Sequence, residues 1–451
     1  MKVRKVLAMV LGLAMLLSLA ACGGDSGSKD EAAHGDCTEI TFWHSMDRNY
    51  GEILDQQIQK FNDTIGKEKN IKVSSVFQSY PGTDALSAAM SSDDYANIPD
   101  VIQLYSESIS LVRDYDRVVW AEDLFDANSS VVKADFVPNI ARSFEIENKM
   151  IGIPYNIAGY LLYYNQDQLA AAGYSKPPAT LQEMAEMIPS LVEKTDADFG
   201  LNVRINMNEL IAFIEGQGGS GSYFGNNENG HAGFMTELAC ADDGTLKTFI
   251  DTWGDIIETG GYKAVRDSIN EEFAVGSHSM VIMSSSRLRT IEEQVSGAFE
   301  WGVAPVPAVK DGDCVGSFPT GSGLFIMNRE DDAKVKAAWE FVQYMASPEI
   351  QAQWVESTGY VPVNSKALET DTYKNCVAEN PWLSVAYEAI SQAPESMTSP
   401  FVPNYSEVDT LIKDTMIAYA GKSLDADGAY TAIVDGTKRI FEDYYRANPI
   451  G

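Results

Sequence analysis

The run Trp43-His44-Ser45 places an aromatic ring, an imidazole and a hydroxyl directly after a strand-like segment. These side chains could form a hydrolytic site, or they could line a site that only binds. A serine nucleophile usually lies in a Gly-x-Ser-x-Gly turn, and the Gly-Ser-Gly runs at 219–221 and 321–323 are too short for one. A glycoside hydrolase would need only two suitably spaced carboxylates, so it stays as the alternative to a binding site.

Aromatic residues at loop-like positions give the second chemical signal. They are Trp43, Tyr80, Tyr105, Tyr155, Tyr360 and Tyr405. Aromatic faces suit the C–H surface of sugars, and neutral polar groups pair with sugar hydroxyls. The polar candidates near them in the sequence are His44, Ser45, Ser106, Asn156, Ser284 and Ser285. Together these residues predict a carbohydrate-binding cleft.

Neither a metal site nor a cofactor motif is predicted. The four histidines are scattered, and no His-Glu-x-x-His or Cys-x-x-Cys spacing occurs. Besides Cys22, the cysteines are Cys37, Cys240, Cys314 and Cys376. In an oxidising compartment these four could form two disulfides, with the pairing left open. We therefore expect at least partial oxidation.

Strand and helix patterns alternate along the chain and position these residues. Strands are predicted at 39–43, 71–77 and 100–104, with helical patterns at 50–65 and 86–90 between them. Strands separated by helices indicate a mainly parallel α/β sheet, in which ligands bind at the carboxyl ends of the strands. Thr180 is a plausible N-cap for the helix that begins at Leu181.

Length and charge narrow the class of protein. A chain of 451 residues usually folds as more than one lobe. Its 33 basic and 65 acidic residues give a net charge of −32, which disfavours binding to nucleic acid or to anionic lipid headgroups.

The first 21 residues have the pattern of a secretion signal. Basic residues precede an apolar run that ends in Leu19-Ala20-Ala21-Cys22, the kind of site at which a lipoprotein precursor is cleaved and lipidated. Residues 1–21 are predicted to be the signal peptide, Cys22 the lipid-bearing residue, and 22–37 a flexible tether. The protein is therefore expected outside the cytoplasm, held at the cell membrane by lipid.

Several short runs together resemble the extracellular solute-binding proteins, family 1, of ABC importers. The resemblance covers nearly all of residues 38–445. The runs begin at Phe42-Trp43-His44-Ser45 and Pro99-Asp100-Val101, and continue with Gly152-Ile153-Pro154, Leu162-Tyr163-Tyr164-Asn165, 273–283, 301–307, Ser347-Pro348-Glu349 and 358–363. Within the family, the chain is similar to the glycerol-3-phosphate-binding members and to sugar-binding members.

The resemblance implies two α/β lobes joined by a hinge of crossing strands, with the ligand between them. Lobe 1 would comprise 38–153 and 304–346, and lobe 2 would comprise 154–303 and 347–451. The resemblance also implies that the protein is not an enzyme. It would act as a monomer that hands its ligand to the transmembrane subunits of an ABC permease.

Carried over by residue, the resemblance places Tyr80, Ser284 to Ser286, Thr320 or Gly321, and Tyr360 in the ligand site. Three positions depart from the glycerol-3-phosphate binders. Ser106 replaces an expected glutamate, which follows one place later as Glu107. Ile157 or Ala158 replaces a serine. The phosphate-gripping arginine falls near Phe401 in the run 399–403, where the Phe401 ring would offer a stacking face instead. A phosphate monoester binds poorly without an arginine. A mono- or oligosaccharide is therefore predicted, with glycerol-3-phosphate or a glycerophosphodiester as the alternative.

The lipid anchor gives the first testable prediction. Changing Cys22→Ser removes the thiol that would carry the lipid, so we expect an uncleaved, unlipidated precursor. Mass spectrometry of the membrane-associated protein measures this directly. An unmodified Cys22 inside a longer mature wild-type chain would contradict the anchor.

Overall fold

The protein is described from a computed structural model, which covers residues 37–80, 82–92, 95–217, 223–312 and 317–450. The predicted signal peptide, Cys22, most of the tether, Cys314 and the run 219–221 lie outside these ranges.

The described chain forms short strands separated by helices. The strands are β1 Thr38–His44, β2 Ile71–Phe77, β3 Val101–Tyr105, β4 Val118–Val119, β5 Glu145–Ile146, β6 Lys149–Met150, β7 Ile153–Ala158, β8 Tyr160–Asn165, β9 Phe199–Asn202, β10 Tyr262–Lys263, β11 His278–Ser284, β12 Trp301–Pro305 and β13 Thr320–Met327.

Helices follow most of these strands. They are Arg48–Phe61, Lys67–Lys69, Thr83–Ser91, Ile109–Val112, Pro138–Arg142, Gln166–Ala172, Leu181–Lys194, Met207–Glu215, Ala239–Asp242, Thr245–Glu258, Ile269–Ala274, Leu288–Val295, Asp332–Met345, Pro348–Thr358, Asp371–Glu379, Trp382–Ser391, Tyr405–Ala420 and Ala426–Ala447. The N-cap expected at Thr180 is confirmed, since its hydroxyl accepts from the Glu183 amide at 3.1 Å.

The first sheet has the strand order β2-β1-β3-β13-β4, and β7 also pairs with β13. Strands β1, β2 and β3 are mutually parallel, so their carboxyl ends meet at one edge. Strand β13 runs antiparallel to β3, β4 and β7. One core packs on this sheet, where the ring of Phe341 contacts Phe42 and Phe61 edge-on.

The second sheet has the order β10-β9-β11-β8-β12. Strands β9, β10 and β11 are parallel, whereas β8 runs antiparallel to both β11 and β12. A second core surrounds the rings of Phe213, Phe249 and Trp253, which are all buried. The two-lobed α/β fold predicted from the sequence is confirmed by this arrangement.

The sheets are mixed rather than mainly parallel, which corrects the expectation in that detail. The antiparallel pairs come from the strands at the crossing between sheets: β7 lies in the first sheet, β8 in the second, and only Gly159 separates them. Strand β12 in the second sheet is likewise followed by β13 in the first. A direct crossing needs no helix, so the helix–strand alternation of the sequence does not reveal it. The lobe boundaries given above stay predictions.

Cys37, Cys240 and Cys376 are free cysteines. Cys240 and Cys376 are buried in the two cores, and Cys376 donates weakly to the Tyr373 carbonyl at 3.2 Å. The expectation of oxidised cysteines is wrong for these three, since none of them is in a disulfide. None of the helices in the described ranges has the length and the apolar content that crossing a bilayer requires.

Gly321 in β13 supplies a test of the crossing strands. Its φ of +142° is unfavourable for other residues, and an added Cβ would collide with the carbonyl oxygen of Asn156 in β7. We expect Gly321→Ala to lower the free energy of unfolding by about 2–4 kcal/mol, measured by urea denaturation.

The matched control is Gly297→Ala. Gly297 also has a positive φ, of +76°, but open space surrounds its missing Cβ. Only the backbone cost of about 1 kcal/mol is expected there. Equal losses in the two variants would refute a steric role for Gly321 at the crossing.

Candidate ligand-binding cleft

A cavity of about 910 Å³ lies where loops from both sheets meet. On the first sheet, Ser45 follows β1, Tyr80 follows β2 and Glu107 follows β3, and all three line the cavity. Because these strands are parallel neighbours, their carboxyl ends bring the three loops together. The first sheet therefore builds its wall as the sequence predicts for a parallel arrangement.

The second sheet supplies the opposing wall. Arg204 follows β9, Arg266 follows β10 and Arg287 follows β11, and each lines the same cavity. These three strands are also parallel neighbours. Each wall is thus built on three parallel strand ends.

The helix Tyr405–Ala420 covers a third side. Tyr405 and Asp409, one turn apart on this helix, both line the cavity. The Asp409 carboxylate accepts hydrogen bonds from the Met207 amide at 3.0 Å and the Asn206 side chain at 3.2 Å. These bonds fix the helix against the start of the helix Met207–Glu215.

Tyrosines dominate the aromatic surface of the cleft. The lining tyrosines are Tyr50, Tyr80, Tyr105, Tyr160, Tyr360, Tyr405 and Tyr444. Tyr80 meets Tyr105 edge-on with ring centroids 4.9 Å apart, and Tyr50 meets Tyr360 edge-on at 5.9 Å. The Tyr80 side chain is 62 % exposed, so a ligand in the cleft could cover its ring.

The ring of Tyr360 is held in place from several sides. It contacts Trp354 with centroids 5.9 Å apart, and its amide donates to the Thr358 hydroxyl at 3.2 Å. Its neighbour Tyr50 donates to the Ser286 carbonyl at 2.5 Å. Burial raises the pKa of Tyr360 to about 12, so its hydroxyl stays protonated as a donor.

Glu107 is a buried carboxyl group on the cleft wall. It is 6 % exposed, and the Ser106 hydroxyl lies 3.3 Å from its Oε2. Burial raises the pKa of Glu107 to about 7, and the nearby negative charge of Asp409 adds to the shift. At neutral pH this group can therefore act either as a donor or as an acceptor toward a ligand.

The three arginines differ in their partners. Arg266 lies 3.7 Å from Glu209, and the Arg204 Nε donates to the Asn206 side chain at 2.8 Å. Arg287 makes no ion pair with any described residue. The acidic lining residues are Asp47, Glu107, Glu209 and Asp409, so opposite charges nearly balance in the cleft.

Four of the predicted ligand-binding residues lie on the cavity wall. They are Ser45, Tyr80, Tyr105 and Tyr360, and Tyr405 joins them. The Ser45 amide donates to Gln103 at 2.9 Å, while its buried hydroxyl has no partner among the described residues. A ligand role for these residues stays a prediction.

Trp43, His44 and Ser106 lie behind the wall. Trp43 packs against the core of the first sheet. His44 is buried between the rings of Phe42 and Phe77, and burial lowers its pKa. The Ser106 hydroxyl bonds to the Gly321 carbonyl at 3.2 Å and to Ser399 at 2.6 Å.

The remaining predicted residues also lie outside the cavity lining. Tyr155 is fully buried against Trp354, and its hydroxyl lies 3.4 Å from Gln57. The Asn156 Oδ1 accepts from the Gln103 side chain at 2.9 Å and from the Ser322 hydroxyl, so Asn156 belongs to the buried hydrogen bonds between strands.

Three of these residues end or join strands. The Ser284 hydroxyl bonds to Ser286, which itself lines the cavity. The Ser285 hydroxyl accepts from the Gly159 amide at 3.3 Å, and Gly321 pairs with Ile157. Phe401 is buried and lines an adjoining cavity.

Sequence reasoning missed the arginines and most of the acidic residues of the cleft. The expectation that the site has no arginine is wrong, since Arg204, Arg266 and Arg287 all line it. They come from the loops after β9, β10 and β11. The signal available was the position of Arg287, directly after the serines Ser284 to Ser286 that the resemblance places in the site.

The raised pKa of Glu107 predicts a pH-dependent stability. The folded pKa, about 7, exceeds the ordinary value of 4.5, so the folded state favours the protonated form. The preference of the folded state for protonated Glu107 therefore costs no stability below about pH 4.5. It lowers the free energy of unfolding progressively as the pH rises from 4.5 to 7. We expect Glu107→Gln to match the wild type at pH 4 and to exceed it at pH 8, by at most about 3 kcal/mol.

Urea denaturation at pH 4, 6 and 8 measures the difference. Glu379→Gln, which changes an exposed carboxylate, is the control and should track the wild type throughout. A Glu107→Gln curve parallel to the wild type would contradict the buried, protonated carboxyl.

Comparison with known proteins agrees with the two-lobed fold. The chain is 24% identical over 412 residues to the sn-glycerol-3-phosphate-binding periplasmic protein UgpB of Pectobacterium atrosepticum, covering 88% of this chain and 90% of the relative. The sugar-binding protein MalE of Xanthomonas citri superposes with a TM-score of 0.76 at 17% identity, covering 92% and 100% of the two chains. UgpB of Mycobacterium tuberculosis in complex with glycerophosphocholine gives 0.71 at 21% identity, covering 91% and 99%.

The family model for bacterial extracellular solute-binding proteins matches residues 56–381, which is most of the chain. The match includes the strands of both sheets except β1, and the loops that carry Tyr80 and Glu107 but not the one that carries Ser45. The chain therefore belongs to the bacterial extracellular solute-binding proteins.

Proposed function

We propose that this protein is the substrate-binding lipoprotein of an ABC importer and that it captures a carbohydrate in the cleft. It then delivers the carbohydrate to the permease subunits in the membrane. Family membership supports a binding role, and the signal-like N-terminus supports export and lipid anchoring. The protein acts outside the cytoplasm as a monomer.

The tyrosine-rich lining is the observation that carries the carbohydrate assignment. Tyrosine combines an apolar face for the C–H surface of a sugar ring with a hydroxyl for its polar edge. The cavity adds Ser45, Asn206 and Asn404 as neutral polar groups. Such a mixture of apolar faces and convergent polar groups is what a sugar requires.

Charge argues against a phosphate monoester. Four acidic residues line the cleft against three arginines, and Arg266 is already close to Glu209. A ligand with about two negative charges would enter a site with no net positive charge. A neutral polyhydroxylated ligand carries no charge for the acidic residues to repel.

A binding role also fits better than a hydrolase. His44 lies buried behind the wall, and its Nδ1 accepts from the Met46 amide at 3.3 Å. The imidazole is thus engaged in the fold, and Ser45 is better explained as a hydroxyl that pairs with a ligand.

Arg287 favours a glycerophosphodiester as the second candidate. Its guanidinium makes no ion pair with the described residues, as is also true of Arg204, and it lines the cleft near Tyr50 and Tyr360. A single phosphate charge could pair with it. If the diester carried a cationic head group, the tyrosines and the carboxylates of Glu107 and Asp409 could receive it.

Truncation of Tyr360 tests the carbohydrate site. We expect Tyr360→Ala to weaken sugar binding by about 2 kcal/mol, roughly 30-fold in Kd, because it removes a stacking face. A thermal-shift screen of mono- and oligosaccharides, glycerol-3-phosphate and glycerophosphocholine first identifies the ligand, and calorimetry then measures Kd. Tyr174→Ala, which lies outside the cavity lining, is the matched control and should bind normally.

Salt and a charge variant separate the two candidates. Sugar binding should change little between 50 and 500 mM salt, whereas diester binding should weaken with salt and should be lost in Arg287→Met. Tight, salt-sensitive binding of a phosphate ester without any sugar binding would overturn the carbohydrate assignment.

A further inference from the structure

Two carboxylates line the cleft without a cationic partner among the described residues. Asp409 accepts from two neutral donors, the Met207 amide at 3.0 Å and the Asn206 side chain at 3.2 Å. Glu107 is 6 % exposed, and its Oε2 lies 3.3 Å from the Ser106 hydroxyl. A carboxylate has about four lone-pair sites, so both groups can still accept from a donor that enters the cavity.

The two carboxylates act on the same part of the cleft. Burial raises the pKa of Glu107 to about 7, and the negative charge of Asp409 contributes to this rise. Burial also raises the pKa of Tyr405, and the charges of Glu107 and Asp409 raise it further. The Tyr405 hydroxyl therefore lies within the field of both carboxylates, at the start of its helix.

Tyrosine rings border this acidic part of the cavity. The Tyr80 side chain is 62 % exposed, so its ring is accessible to a ligand. Tyr105 meets Tyr80 edge-on with ring centroids 4.9 Å apart, and Tyr105 and Tyr405 are both half-buried. The face of a tyrosine ring attracts a cation that lies within about 6 Å of the ring centroid. The acidic tyrosine cluster comprises Tyr80, Tyr105, Tyr405, Glu107 and Asp409.

The arginines of the cleft leave this cluster unpaired, although all three line the same cavity. Arg266 lies 3.7 Å from Glu209, a further carboxylate of the lining. The Arg204 Nε donates to the Asn206 side chain at 2.8 Å, and Arg287 forms no ion pair with the described residues. The charges of the cleft nearly balance as a whole, but the acidic tyrosine cluster keeps its negative charge for a ligand.

We propose that the acidic tyrosine cluster is a subsite for the protonated amine of an amino sugar. The inference rests on the carbohydrate function proposed above and narrows its ligand to sugars that carry a positive charge. An ammonium group donates its N–H groups to the carboxylates and presents its charge to the ring faces. The choline group of a glycerophosphodiester supplies the same charge without N–H donors, and the test separates these two sources.

The test compares sugars that differ at one substituent. Glucosamine, N-acetylglucosamine and glucose, with the corresponding galactose and mannose series, are titrated into the mature protein by calorimetry at pH 7, as are choline and glycerophosphocholine. We expect the amine of at least one series to bind about tenfold more tightly than its two neutral counterparts. This gain should shrink between 50 and 500 mM salt, whereas binding of the neutral sugars should change little.

Two variants locate the gain by removing a negative charge while nearly keeping the shape of the side chain. Glu107→Gln and Asp409→Asn should each reduce the gain to less than about threefold. The measured quantity is a ratio between sugars of one skeleton, so a general disturbance of the wall lowers both affinities and leaves the ratio unchanged. Glu379→Gln, which changes an exposed carboxylate outside the cavity lining, is the matched control and should keep the gain.

The outcomes distinguish this inference from the proposed function. Equal binding of amine and neutral sugars, or a gain that survives in both variants, would overturn the ammonium subsite and leave the carbohydrate function standing. Binding of choline and glycerophosphocholine without binding of any amino sugar would overturn the amino-sugar assignment in favour of a diester. Binding of no carbohydrate probe would remove the carbohydrate function and the amino-sugar assignment together.

Discussion

The covalent crossing at Gly159 is the constraint on which the cleft depends. Strand β7 belongs to the first sheet and β8 to the second, so a single residue sets their separation. Its amide donates to Ser285, and a Cβ there would lie 3.1 Å from the Ser317 hydroxyl. Because the crossing is short and closely packed, the strand ends of both sheets face one shared cavity. Binding geometry therefore follows from the backbone path before any lining side chain is considered.

A buried polar cluster fixes the register of the strands beside this crossing. Gln103 in β3 donates to Asn156 in β7 at 2.9 Å and to Ser322 in β13 at 2.7 Å, and Ser322 also bonds to Asn156. All three side chains are buried, so each depends on the others for hydrogen bonds. A slip of one strand would leave several of these groups unsatisfied. The cluster thus specifies the alignment of β7, whose Ile157 carbonyl accepts from the amide of Val361, the residue after Tyr360.

Sequence periodicity predicted β1, β2 and β3 of the first sheet because these strands alternate with helices. It also placed Ser45, Tyr80 and Tyr105 on the cleft wall, since residues after parallel strands meet at one edge. Sequence periodicity failed where the position of a residue depends on how distant segments of the chain pack together. Ser106 and Glu107 are neighbours in one short 3-10 turn, yet only Glu107 lines the cavity. The antiparallel crossing strands and the opposing arginine wall likewise depend on how the second sheet faces the first, which local patterns do not encode.

The charge that a cleft prefers in its ligand cannot be inferred from one aligned position, because charged residues on every wall contribute to the electrostatic potential inside it. Phe401, near which the resemblance predicts the arginine to fall, lines the adjoining cavity, while Arg204, Arg266 and Arg287 enter the cleft from the second sheet. The surrounding surface is strongly negative, with a net charge of −32. Screening limits that field to about 8 Å at physiological salt. Under the function proposed above, the ligand meets the nearly balanced charges that line the cleft rather than the net charge of the whole surface.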